Sequence, residues 1–193
     1  MSWLEEGDRP TLEAVLLRRE ERRAVMEAAF AASPDLRETL ISAKLNIPGP
    51  VKRNETLEAV FARAEAAIAA ALEAADIAIR RHEAWSFPTG PESLWMVAAE
   101  PLEVKRQMVA IEEGHPWGRL FDLDVEGRSG AVSREELGLP ERRCFLCGRP
   151  ARLCARARTH SVDEMVAWIE QLIEDEGGRD GLSPFWQDAG LPY

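Results

Sequence analysis

Thr39-Leu40-Ile41-Ser42-Ala43-Lys44-Leu45-Asn46-Ile47-Pro48-Gly49-Pro50 is the stretch on which the fold turns. Thr39, Ile41, Ala43, Leu45 and Ile47 alternate with Leu40, Ser42, Lys44 and Asn46, a period of two that sends successive side chains to opposite faces of a strand. Pro48-Gly49-Pro50 ends that strand sharply, since proline removes a backbone donor and fixes φ. Upstream the period is different. From Thr11 to about Ala32 the apolar residues Leu12, Val15, Leu16, Met26, Ala29 and Phe30 fall at helical spacing among many charges, until Ser33-Pro34-Asp35 breaks the helix.

Downstream, Asn54 is placed to cap a long Ala-rich helix whose Leu57, Val60, Phe61, Ala64, Ile68, Ala71 and Leu72 form one apolar stripe ending near Asp76. Two short strands, Ile77 to Trp85 and Ser93 to Ala98, flank the turn-rich Phe87-Pro88-Thr89-Gly90-Pro91 as a hairpin. Pro101 opens another helix, with Val104, Met108 and Ile111 inward, which stops at Gly114-His115-Pro116 before a strand from Arg119 to Val125. Ser161 and Glu164 make a capping box ahead of Val162, Met165, Val166, Ile169, Leu172 and Ile173, and Gly177-Gly178 terminates that helix. Across residues 36–126 the order strand, helix, strand, strand, helix, strand predicts an α+β fold with a ferredoxin-like split βαβ core, an antiparallel or mixed sheet with helices on one face. An N-terminal helix, a C-terminal Cys-rich loop and a last helix complete it. We expect one domain over 1–193, with a Cys/Arg-rich segment at 140–160, the C-terminal helix at 161–176 and a tail at 179–193.

Composition narrows the class. The 193 residues are 46% hydrophobic, enough for one core. No stretch approaches the ~20 apolar residues of a membrane span, and the acidic Met1 to Pro10 lacks the pattern of a secretion signal, so a cytoplasmic protein without a membrane partner is expected. Three cysteines cannot all pair internally and read as thiols or metal ligands. The net charge of −10 argues against nucleic-acid binding. Yet residues 128–158 hold eight arginines against three acids, a basic island that suits a polyphosphate or one acidic partner, or is simply a solvated Arg-rich loop.

Four places carry candidate chemistry. In Leu120-Phe121-Asp122-Leu123-Asp124-Val125, alternation puts Asp122 and Asp124 on one face, where they can jointly hold Mg²⁺ or merely form a solvent-facing acidic side. In Gly114-His115-Pro116-Trp117-Gly118-Arg119, His115 is a candidate base and Arg119 a phosphate partner, unless the segment is only a helix-to-strand turn. Lys44, Asn46 and Lys52 bracket the Ile47-Pro48-Gly49-Pro50 turn, where Gly49 offers a candidate phosphate approach without any P-loop pattern, unless the turn merely ends the strand. Cys144, Cys147, Cys154 and His160 supply four possible Zn²⁺ ligands, with buried thiols or a redox pair as alternatives. The arginines around them, among them Arg143, Arg156 and Arg158, would become an ordered anion-binding surface if that segment is fixed.

Read together, Leu45 to Lys52, Pro88-Thr89-Gly90-Pro91-Glu92, His115 to Val125, and Arg143-Cys144-Phe145-Leu146-Cys147 through Cys154 to Ser161 resemble the holo-citrate-lyase synthase family, also called apo-citrate lyase phosphoribosyl-dephospho-CoA transferase. The blocks span about residues 36–175. Trp117, Ala43-Lys44 and Ala157 depart from the family pattern, and Trp117 is expected to alter the pocket for the pantetheine or adenine portion. The resemblance implies a nucleotidyltransferase-type enzyme. A Ser hydroxyl of the citrate lyase acyl carrier protein would attack 2′-(5″-triphosphoribosyl)-3′-dephospho-CoA, releasing diphosphate. In that reading Asp122 and Asp124 hold Mg²⁺, Arg119 and Lys52 contact phosphates, His115 helps deprotonate the Ser, and the basic island docks the carrier. The competing readings are a zinc-stabilised adaptor for an acidic partner and a thiol redox protein using Cys144 and Cys147.

Overall fold

A computed structural model of the chain describes residues 3–33, 35 and 37–176; the expected tail at 179–193 lies outside them. The strand on which the sequence turned is β1 (Glu38–Leu45), and its first six residues are buried because both faces of the sheet are covered at that point. The other strands are β2 (Ile79–Phe87), β3 (Gly90–Ala98), β4 (Phe121–Gly127) and the two-residue β5 (Gly130–Ala131). They lie in the order β2-β3-β1-β4-β5, and every neighbouring pair is antiparallel.

The helices are α1 (Leu12–Ala32), α2 (Glu55–Ala74), α3 (Pro101–Gly114), α4 (Ala151–Ala157) and α5 (Val162–Asp175). Their starts are capped as polar side chains require. Thr11 accepts from the Ala14 N–H, Asn54 from the Leu57 N–H, and Ser161 and Glu164 form a reciprocal capping box. Pro101 sits in the first turn of α3, where a missing N–H costs nothing.

Two apolar layers sandwich the sheet. Ile41, Ala43, Trp95, Val97, Phe121, Leu123 and Val125 pack with Leu57, Phe61, Ile68, Met108, Ile169 and Ile173 of α2, α3 and α5. On the other side Leu40, Leu94 and Met96 meet Met26 and Ala29 of α1. The helix layers are therefore on both faces, because the alternation of β1 is apolar on each side up to Ala43. The hairpin is tighter than its composition suggested, with only residues 88–89 between β2 and β3, and Gly90 takes φ +116° at the turn. Residues 151–157, expected as part of a loop, form α4; its seven residues are too few for a legible helical period.

Beyond Glu126, β4 is paired by β5, but its edge at Phe121–Leu123 has no strand neighbour. Side chains take that place. Glu112 accepts the Leu123 N–H at 3.1 Å, Lys105 Nζ donates to the Leu123 carbonyl at 3.1 Å, and Arg142 donates to the Phe121 carbonyl at 2.7 Å. Glu112 and Lys105 are buried, and burial raises the Glu112 pKa against the opposing pull of Arg142.

Candidate active site

The register of three strands builds the centre of the site. Lys44 of β1 lies opposite Glu92 of β3 on one side and Asp122 of β4 on the other, so Glu92, Lys44 and Asp122 form a row across the sheet, with Asp124 one pleat further along. All four point away from the large core, because Phe121, Leu123 and Val125 take the opposite face. Lys44 Nζ stands 2.9 Å from Asp122 Oδ2 and 2.6 Å from Asp124 Oδ2. Burial would lower the ammonium pKa, but Asp124 and Asp122 outweigh it and hold Lys44 above its ordinary value. Asp124 is the mirror case: burial pushes its carboxyl up, Lys44 pulls it down, and the net direction is below the usual range.

Helix α1 roofs this row. Arg18 donates to the buried Glu92 while its guanidinium lies 3.9 Å from the centroid of the Phe87 ring, and Arg22 reaches Glu92 Oε2 at 3.4 Å. Between α1 and the sheet runs a cleft of about 1010 Å³. Its α1 wall offers Arg19, Arg22 and Arg23, and its floor offers Ser42, Lys44, Asp122 and Asp124. Acids Glu20, Glu27 and Glu126 also line it, so acidic groups outnumber basic ones by one.

None of the remaining sequence candidates lines the cleft. The Asn46 N–H donates to the Leu120 carbonyl at 2.8 Å, and its side chain is exposed. Gly49 takes φ +85°, and a Cβ there would stand 3.2 Å from Val162 of α5. Lys52 Nζ is spent on the Ile47 carbonyl at 2.6 Å, and burial lowers its pKa, so it braces its own turn. Arg119 donates to the Arg143 carbonyl, tying the β4 entrance to the cysteine segment. Arg143, Arg156 and Arg158 are exposed. Trp117 is buried in the core between sheet and helices and does not line the cleft.

His115 is also placed otherwise than a cleft base requires. Its Nδ1 accepts the Trp117 N–H at 3.0 Å, and its ring lies 4.9 Å from that of Phe121, whose side chain faces the helical core. It therefore sits on the side of β4 opposite the aspartates. Burial, with Arg63 adding to it, lowers its pKa and keeps the ring neutral at pH 7.

The four sulfur and nitrogen candidates do converge: one ligand atom each from Cys144, Cys147, Cys154 and His160 lies within 4.8 Å of the others. This set is compatible with structural zinc. Arg149 and His160 pull the Cys147 thiol down to about 5, whereas burial and its neighbours push Cys154 up. Arg142 joins the segment to the site, donating to the Gly118, Arg119 and Phe121 carbonyls and approaching Asp122 Oδ1 at 4.0 Å.

Residues 10–176 match the family described as apo-citrate lyase phosphoribosyl-dephospho-CoA transferase. The chain belongs to this family. Proteins named apo-citrate lyase phosphoribosyl-dephospho-CoA transferase from Escherichia coli O1:K1 and Shigella flexneri serotype 5b are each 33% identical to it over 162 residues, covering 83% of this chain and 87% of theirs. That of Citrobacter koseri is 32% identical over the same shares.

For a member of the transferase family, the surprise is how much of the cleft and of the helix roofing it comes from residues that the sequence left unassigned. Arg18 and Arg22 were legible only as charges on an amphipathic helix, although Arg18, Arg19, Arg22 and Arg23 recur at i, i+1, i+4 and i+5, a spacing that stacks cations over two turns. Lys44 was noted beside its turn, but nothing in the linear order says that it lies between Glu92 and Asp122.

Proposed function

We propose that this chain transfers the 2′-(5″-phosphoribosyl)-3′-dephospho-CoA group from its triphosphoribosyl precursor to a serine of the citrate lyase acyl carrier protein. The serine Oγ forms a bond to the phosphorus next to the ribose, the bond to the β-phosphate breaks, and diphosphate leaves with the electron pair. The serine proton passes to a base. The observation that carries this reading is the Glu92–Lys44–Asp122 row, with Asp124, under the arginines of α1 in a member of this transferase family.

Such a reaction asks the protein chiefly to position polyphosphate and balance its charge. The α1 arginines and Lys44 supply cations for the phosphate oxygens. A bare polyphosphate would also meet the five acids of the cleft, so the mixed lining favours a polyphosphate that arrives with a divalent cation. Asp122 and Asp124 suit Mg²⁺ as hard oxygen donors, since Lys44 engages only one oxygen of each. Bound there, Mg²⁺ would supply the positive charge that the carboxylates otherwise withhold from the substrate. Because His115 faces the other side of β4, we assign it to holding the 115–120 turn rather than to taking the serine proton. Arg119 and Lys52 hold loops through backbone carbonyls, and phosphate contact passes instead to Lys44 and the α1 arginines.

The exposed Arg143, Arg156 and Arg158 fit docking of an acidic carrier. Three free thiols suit a reducing, cytoplasmic setting, and none of the described helices is long and apolar enough to cross a membrane. We further infer that β1-α2-β2-β3-α3-β4 is a ferredoxin-like split βαβ core. In support, β3 lies between the parallel pair β1 and β2, and β1 between β3 and β4.

Incubation with apo carrier, precursor and Mg²⁺, read by intact mass, tests the reading. The carrier should gain the mass of the prosthetic group with wild type and fail to do so with Asp122→Asn. No gain with wild type would sink it in favour of the adaptor.

A further inference from the structure

The transfer just described makes no use of Cys144, Cys147, Cys154 or His160. Their arrangement nevertheless has the form of a closed metal site. In tetrahedral zinc with Zn–S near 2.3 Å and Zn–N near 2.0 Å, ligand atoms stand about 3.5–3.8 Å apart. The four atoms here lie within 4.8 Å of one another, with Cys147 Sγ and Cys154 Sγ at 3.4 Å, so small shifts complete a tetrahedron.

Two further observations point to an ion at the centre. His160 Nε2 is buried and has no hydrogen-bond partner, one of two such side-chain atoms among the described residues. A buried imidazole nitrogen left unpaired is unfavourable, and a metal bond removes the deficit. Arg149 faces Cys147 and favours its thiolate form, the kind of outer neighbour that orients a metal ligand.

The backbone is shaped to match. The Gly148 N–H donates to the Cys144 carbonyl at 3.0 Å and the Cys144 N–H to the Arg149 carbonyl at 2.6 Å, with Gly148 at φ +70° closing the loop. Cys144 and Cys147 thus come from one tight turn, Cys154 from α4, and His160 from the turn that precedes α5, where the Thr159 N–H returns to the Cys154 carbonyl. Cys154 is the one buried residue of α4, so apolar packing alone does little to hold these pieces.

We propose that Cys144, Cys147, Cys154 and His160 bind one structural Zn²⁺. The thiols release their protons on binding, and three thiolates, a neutral imidazole and the ion leave a net charge of −1. Arg149, together with Arg143, Arg152 and Arg156, offsets that charge, which gives the basic island a local reason that is independent of any partner. All four positions are filled by protein, so the ion holds structure and does not activate water. What it holds is useful: Phe145 stacks on Trp168 of α5 at 4.4 Å, and Arg142 fastens the segment to the open edge of β4 beside Asp122.

The test uses the full chain purified under reducing conditions from zinc-replete medium. Elemental analysis should find one zinc per chain, and a thiol-blocking mercurial should release it into a colorimetric chelator. Cys154→Ser and His160→Ala should each lose the zinc. Because loss of zinc and loss of fold look alike in either variant, the wild-type protein is also stripped and reloaded with Co²⁺, which should show the intense visible bands of a tetrahedral thiolate site. Wild type that contains no zinc and gives no such cobalt spectrum overturns the proposal. So does a mass deficit of two hydrogens mapping to a Cys147–Cys154 disulfide, or full zinc retention in Cys154→Ser. None of these readouts depends on transferase activity.

Discussion

The cleft and the cysteine segment hold their polar groups by opposite means. In and beside the cleft, charges are paired within the chain itself: Lys44 between Asp122 and Asp124, Glu92 between Arg18 and Arg22, Arg23 on Glu126. In the cysteine segment a buried nitrogen has none, and three thiols crowd one point. A region balanced by its own side chains is ready to exchange partners with a substrate, whereas a region with an internal deficit calls for an ion that stays. Transfer is thus expected to depend on the cleft and local order on the segment. Substitutions in one should leave the signature of the other intact.

The sharpest break is Lys44→Met. Removing the cation from between the aspartates should cut carrier modification by about 10²–10³-fold, the scale seen when one preorganised charge partner is lost. Zinc content should not change. Retained transfer at the wild-type rate would place the chemistry elsewhere.

Next in size is Glu92→Gln. Glu92 is 4% exposed and carries two arginines, so neutralising it leaves hydrogen bonds to charged groups unmade and should cost about 2 kcal/mol in urea unfolding. It should also loosen α1, seen as faster hydrogen exchange in residues 12–32. Unchanged exchange there would mean that Met26 and Ala29 alone secure the helix. Gly49→Ala is smaller and tests the seam between the regions. At φ +85°, with Val162 3.2 Å from the new Cβ, it should cost about 1–2 kcal/mol and be felt in α5 exchange before α1 exchange.

How much of this could be read from the sequence follows the same division. Period two in Phe121-Asp122-Leu123-Asp124-Val125 was enough to put the aspartates on one face, because alternation is a local property. The spacing of Cys144, Cys147, Cys154 and His160 was enough to suggest their meeting, because all four lie within one short run. The Lys44 bridge and the Arg18–Glu92 contact were not legible, since they depend on strand register and on which face α1 covers. The placement of His115 was not legible for the same reason: it is close to Asp122 in the chain, yet its ring packs against Phe121, which faces the opposite side of the sheet. The α4 helix was not legible because seven residues are too few to show a helical period.

The smallest expected effect concerns pH. Asp124 has a folded pKa below its unfolded value near 4, so its pairing with Lys44 contributes stability that is present above about pH 4 and is lost as pH falls through the lower, folded value. Lys44 has the opposite sign: its folded pKa is raised, so its contribution is complete below its unfolded value near 10.4 and is lost as pH rises through the folded one. Between those limits the pair is fully formed, but the Asp124 side chain is 62% exposed, so solvent and salt should hold the gain to under about 1 kcal/mol. Asp124→Asn should therefore lower Tm slightly at neutral pH. The gap from wild type should narrow as both are titrated below about pH 4 and shrink in about 1 M salt. A gap that persists at low pH would show that Asp124 acts through packing rather than charge, and would remove the electrostatic balance on which the contrast with the cysteine segment rests.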